Sequence, residues 1–320
     1  MKKLFLKTIL YTILILLALE GVIRAFHLTK DYPVRYIDEF NVEKWKPNQE
    51  GFSVTGIRRQ NFSEYRINSS GYNSYREFLP SKDKTEMALV GDSFIEGFHQ
   101  HYYNSIGKKI ENSFDEAIEV YEYGYAGYDL ADQLHLMNKY KKDFDLIDYV
   151  IIGLDFKSDL TRSEYKIIQD RMHLETPLYK SIRKIKLIVY AQNSGVFDPV
   201  LNLIYKISSL FKEKQSNKFI EEKTKEDIEK THLTYMENFK SLVKKYGYDK
   251  KRFVLLLDSN ITPQIFLKYL NENNYEYIDF YSTLNTSTAP TTLIYDKHWN
   301  NHSRDLIASA IANYYRERLD

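Results

Sequence analysis

The chain has 320 residues, 43% of them hydrophobic and 28% charged, enough for one large domain or two small ones around a buried core. A net charge of +1 supplies no global field for nucleic acid, so nucleic acid is not an expected partner. Cysteine is absent, which excludes disulfides, thiolate metal sites and a cysteine nucleophile.

The amino end, "MKKLFLKTILYTILILLALEGVIRAF", carries Lys2, Lys3 and Lys7 and then an apolar run broken only at Glu20. Leu4 to Ile23 is about the twenty residues that cross a bilayer as a helix. Lys7 can snorkel to the headgroups and Glu20 is expected near the far interface. No small-x-small cleavage site follows the run, so residues 1–26 read as a retained single-pass anchor rather than a cleaved signal peptide. The early lysines favour a cytoplasmic amino terminus with the rest of the chain extracytoplasmic. The lipid bilayer is thus the first expected partner.

Residues 27–85 are polar and aromatic without strong periodicity and read as a stem that packs on the following domain. Residues 86–320 alternate strand-like and helix-like stretches. Strands are expected at Met87–Val90, Ile118–Tyr121, "DYVIIGLDF", "RFVLLLDSN" and "YEYIDF". Helices are expected over Phe94–Phe114, Leu130–Lys142, "ITPQIFLKYLNENN" and "SRDLIASAIANYYRERL". Such alternation predicts a three-layer α/β/α sandwich around a mostly parallel five-stranded sheet. Residues 161–251 are charged and helix-forming and read as a helical insertion.

In open parallel sheets ligands collect at the carboxyl ends of strands. "LVGDSFIEG" puts Ser93 at such an end, where a helix begins; Asp92 or Ser93 could equally be a helix cap. "YDKHWNNHS" places Asp296 two residues before His298, and in an extended segment side chains at that spacing share a side. A carboxylate holding one ring nitrogen while the other faces a hydroxyl is the arrangement that activates a serine. "HQH", His99 to His101, offers two imidazoles but no third ligand, so no metal site is expected.

Together these segments resemble the SGNH hydrolases, the GDSL-type esterase and acyltransferase superfamily. "GDSFIEG" resembles the family's nucleophile block and "DKHWN" its terminal block, while "INSSGYNSYREF" is similar to a segment preceding the nucleophile. The resemblance is greatest to the membrane-anchored branch, which adds or removes acetyl groups on envelope polysaccharides. It implies an SGNH/flavodoxin-like fold, Ser93 as nucleophile, His298 as general base and acid, and Asp296 as its orienter. It also implies an oxyanion hole from the Ser93 backbone N–H, Gly124 and an asparagine after the third strand. Ser158 stands where that asparagine is expected. An acylated glycan or other ester is the implied substrate, with no cofactor.

Overall fold

The computed structural model describes residues 1–199, 202, 225–294 and 296–319. Its helices are α1 (Lys2–Ala25), α2 (Ser93–Glu96), α3 (Ile106–Ser113), α4 (Leu130–Lys139), α5 (Lys141–Phe144), α6 (Phe156–Asp159), α7 (Gln169–His173), α8 (Pro177–Arg183), α9 (Lys186–Asn193), α10 (Lys225–Tyr246), α11 (Gln264–Glu272), α12 (Tyr281–Asn285) and α13 (Asn301–Leu319). The strands are β1 (Arg35–Ile37), β2 (Glu43–Trp45), β3 (Gln49–Thr55), β4 (Asn61–Ile67), β5 (Thr85–Gly91), β6 (Ile118–Gly124), β7 (Tyr149–Gly153), β8 (Phe253–Leu257) and β9 (Tyr277–Asp279). The described residues divide into two compact units, one of 1–32, 52–62, 169–199 and 202, the other holding the remaining described residues.

In the first unit, α1 is apolar along its length, with a mean hydropathy of 2.0 over its most apolar window, and nearly every residue is exposed. It is long and apolar enough to cross a membrane. Glu20, the acid within that run, accepts hydrogen bonds from the first backbone N–H groups of α9, Lys186 at 3.0 Å and Leu187 at 2.6 Å. Arg24 pairs with the same carboxylate at 2.6 Å. The N–H groups that open a helix have no partner within it, and here a distant acid supplies one. The expected insertion at 161–251 contains α7 to α10; positions 200, 201 and 203–224 lie outside the described residues.

The second unit is built on a parallel sheet of order β6-β5-β7-β8-β9. Its central strands are buried on both faces, which is why their sequences read as unbroken apolar runs. Ala88, Val90, Val150, Ile152, Leu255 and Leu257 join one core with α4 and α10, while Met87, Leu89, Ile151, Val254 and Leu256 join the other with α3 and α13. Each buried Val, Leu or Ile contributes about 1.5–3 kcal/mol relative to exposure. The three-layer α/β sandwich is therefore as expected. After β5 the chain goes to one edge, and after β6 it returns to the other side, so a crevice opens between the ends of β5 and β7.

Local boundaries differ from expectation. The single helix expected over Phe94–Phe114 is instead α2, a loop, a short 3-10 turn at Tyr102–Asn104 and α3. Gly97, at φ +67°, closes α2 in the left-handed conformation, and the Ser105 hydroxyl caps α3; both are local stop and start devices. The stretch before β5 holds four short strands; β4 alternates buried Ser63, Tyr65 and Ile67 with half-buried Glu64 and Arg66, whereas β1 to β3 show no such alternation.

Candidate active site

Ser93 is the first residue of α2, directly after β5. The cap is Asp92: its carboxylate accepts from the Phe94 N–H at 2.9 Å. The Ser93 hydroxyl is turned elsewhere, with its Oγ 2.7 Å from His298 Nε2. Asp296 Oδ1 accepts from the other ring nitrogen of His298 and from the His298 backbone N–H. The structure thus brings together three side chains separated by 205 positions at the widest. Burial pushes the Asp296 carboxyl up, but the His298 ring, its N–H and neighbouring charge outweigh this and hold it below the usual carboxylate range.

Two glycines let α2 sit this close to the sheet. A Cβ on Gly124, at the end of β6, would lie 2.1 Å from the Glu96 nitrogen, and one on Gly91 would meet Ile95 Cγ1 at 2.5 Å. Gly124 is therefore needed for close approach of backbone to backbone. The loop after it contains Gly127 at φ +92°. The segment "INSSGYNSYREF" braces the far end of α2, where the Asn73 side chain donates to the Glu96 carbonyl at 2.8 Å. The Glu96 carboxylate takes Trp45 Nε1–H at 2.6 Å and the Ala126 N–H at 3.1 Å. Burial pushes its pKa up to about 7 against those bonds.

The His298 segment is tied to the same place by Arg304 of α13. This fully buried guanidinium donates to the Phe94 carbonyl at 3.1 Å and to the Trp299 carbonyl at 3.3 Å. Burial lowers its pKa to about 10. Trp299 packs on Phe94 and Phe280, with centroids 4.7 and 5.2 Å apart. Asn300 opens α13, its side-chain oxygen accepting from the Ser303 N–H at 2.9 Å.

Ser158 lies on α6, after β7. Its hydroxyl is 2.7 Å from Asp159 Oδ1, while its backbone N–H donates to Asp155. Asp159 is buried, and burial with the nearby Asp92 pushes its carboxyl well above the ordinary range. A neutral Asp159 can itself donate to Ser158, which leaves the serine proton free for another acceptor. A cavity of about 610 Å³ opens beside Ser158, lined by Asp92, Phe94, Asp155, Ser158, Lys297 and Trp299 among others, within the usual size range of small-molecule sites; Ser93 and His298 are not in its lining, although the chain neighbours of each are.

His99, weighed in the sequence only as a metal ligand, lies beside the triad. Its Nε2 lies 3.2 Å from Asp296 Oδ2, and its ring stacks on His298 with centroids 4.0 Å apart and planes at 21°. His101 goes elsewhere, its Nδ1 accepting from the Glu64 N–H at 3.3 Å. His99, Asp296 and His298 place ligating atoms within 4.8 Å of one another. Imidazole lone pairs lie in the ring plane, however, and two stacked rings aim theirs along nearly parallel planes rather than at one ion. The trio fits hydrogen bonding better than a metal. The left-handed Gly97, which folds the chain back after α2, was the available signal for His99.

No family model matches the chain, and no curated protein matches it. Among solved structures it is similar to a lipolytic G-D-S-L family member from Veillonella parvula, with 13% identity over 72% of this chain and 98% of that one and a TM-score of 0.39. A carbohydrate acetylesterase family member from Sinorhizobium meliloti shows 10% identity, 73% and 99% coverage and a TM-score of 0.38. The psychrotrophic esterase EstA from Pseudoalteromonas sp. shows 11% identity, 74% and 99% coverage and a TM-score of 0.42.

Proposed function

We propose that the chain is a membrane-anchored serine acyl-ester enzyme of SGNH type, acting through an acyl-Ser93 intermediate. The observation that carries this reading is the 2.7 Å contact between Ser93 Oγ and His298 Nε2, with Asp296 on the opposite ring nitrogen. In it His298 takes the hydroxyl proton as Ser93 attacks the ester carbonyl; Asp296 fixes the tautomer and stabilises the imidazolium. The alcohol leaves with that proton, and water or a second alcohol attacks the acyl-Ser93 carbonyl with His298 again as base.

The Ser93 backbone N–H, at the first position of α2, serves the oxyanion. Gly124 and Ser158 are assigned as its partners, Ser158 acting when Asp159 is neutral and its own proton turns to the cleft. The carboxylates and lysine around the cavity suit a hydroxyl-rich acyl carrier, and we assign an acetylated cell-envelope glycan, hydrolysed or used in transfer. The apolar exposed α1 supports a single-pass anchor with the lysine-bearing end cytoplasmic and the site outside.

A second reading is favoured by the Ser158 hydroxyl being engaged with Asp159: an SGNH-fold protein that binds glycan without turnover. One experiment separates the two. The full chain in detergent is treated with a serine-directed phosphonate and with p-nitrophenyl acetate, beside Ser93→Ala and His298→Ala. Covalent labelling at Ser93 and a loss of kcat of at least about 10³-fold in both variants are expected. An unlabelled protein, or equal turnover in all three, rules the enzyme out.

A further inference from the structure

We propose that His99 is a positioning residue of this site, a neutral imidazole whose Nε2–H holds the outer oxygen of Asp296 so that the inner one stays on His298. The inference rests on the serine reading above. Asp296 lies on an irregular segment with a quarter of its side chain exposed, so packing alone does not stop its carboxylate from rotating. One oxygen serves the His298 ring and backbone; the other lies 3.2 Å from His99 Nε2. A bond to each oxygen fixes the carboxylate plane, and through it the His298 ring that must face Ser93.

The stack supplies the second half of the argument. The His298 ring is flanked by Phe94, with centroids 4.6 Å apart, and by His99 at 4.0 Å. When His298 takes the serine proton it becomes a cation against the His99 face. A charged His99 would oppose that step by like-charge repulsion; a neutral one offers a π surface to a cation. The groups facing His99 are His298 and Asp296 from the segment before α13, and Arg304 from α13 itself. Burial, the His298 charge and Arg304 favour the neutral ring and outweigh Asp296, lowering its pKa to about 4. A neutral ring that hydrogen-bonds a carboxylate through Nε2 must carry its proton there. His99 is thus a donor, and it does not compete with His298 as a base.

The test uses the full chain in detergent with p-nitrophenyl acetate. His99→Phe keeps an aromatic ring and loses the donor; His99→Gln keeps an amide donor near the Nε2 position and loses the ring. We expect His99→Phe to lower kcat about tenfold with KM within about twofold, the worth of one hydrogen bond to a charged group. The acid limb of its kcat/KM profile should move to higher pH, because an unshared Asp296 charge favours the imidazolium. His99→Gln should recover most of kcat and return the acid limb toward wild type. The inference is overturned by His99→Phe with wild-type kcat and acid limb, or by both variants losing activity together with Tm while the limb stays put. Ser93→Ala and phosphonate labelling, run alongside, read the serine mechanism separately: a Ser93-dependent enzyme indifferent to His99 defeats this inference alone.

Discussion

The two limbs of the site are held in place by different physics. The Ser93 limb is a strand end and a one-turn helix fixed by steric contact: Gly124 admits the backbone of α2, and Gly91 the Ile95 side chain, to within a distance no Cβ would allow. The His298 limb is irregular, pinned by a short bridge between Thr292 and Trp299 and by the polar side chains of Asp296, His99 and Arg304. Close packing is all-or-none, since interiors do not deform continuously. Hydrogen bonds and charges are graded and respond to pH. The nucleophile should therefore fail by unfolding or misplacement, and the base by loss of orientation.

The largest effect should come from breaking the polar limb at its centre. Asp296→Asn keeps the shape and reverses the tautomer logic at His298; kcat should fall about 10³–10⁴-fold with Tm nearly unchanged, as for a triad aspartate. A variant retaining a tenth of wild-type kcat would remove Asp296 from the role of orienter.

The packed limb should break differently. Gly124→Ala places a methyl 2.1 Å from backbone, a clash no side-chain rotation relieves. Overpacking of this kind costs about 3 kcal/mol, a Tm drop of roughly 6–12 °C, which differential scanning calorimetry would read. A variant that folds with wild-type Tm would show that α2 is not held by close approach.

The smallest effect sharpens the comparison through pH. Glu96 and Glu122 are buried and pushed by burial up to about 7, so between pH 4.5 and 7 the folded state binds more protons than the unfolded one. Stability due to these two groups is full below about 4.5 and falls as pH rises toward 7. His99 works the other way: its lowered value makes the folded state bind fewer protons between pH 4 and 6.5, so its contribution grows with pH. Two carboxyls outweigh one imidazole, and Tm should fall by several degrees from pH 5 to pH 8. Glu96→Gln with Glu122→Gln should flatten or invert that slope; an unchanged slope would show that neither carboxyl is the source.

Much of the sheet was legible because a strand buried on both faces must be apolar at every position, as in "ALV", "VII" and "VLLL". The pairing of Ser93, His298 and Asp296 was legible because each lies in a short stretch whose spacing carries chemistry. Strands β1 to β3 were not, since strands this short without alternating burial leave no periodicity, and β4, which does alternate, spends one of its buried positions on the polar Ser63. The helix over Phe94–Phe114 was extended too far because the left-handed turn at Gly97 outweighed helical spacing.

The sequence by itself determined the chain order of the five sheet strands, the apolar α1 and the residue types able to perform serine chemistry. These depend on local pattern, and local pattern is written in neighbouring residues. Only the tertiary structure decided that Asp92 rather than Ser93 caps α2, that Gly124 serves close packing, that Arg304 ties two distant carbonyls and that His99 shares Asp296 with His298. Each of these relations joins atoms through space along directions set by burial and chain reversal, and no spacing along the chain encodes such a direction.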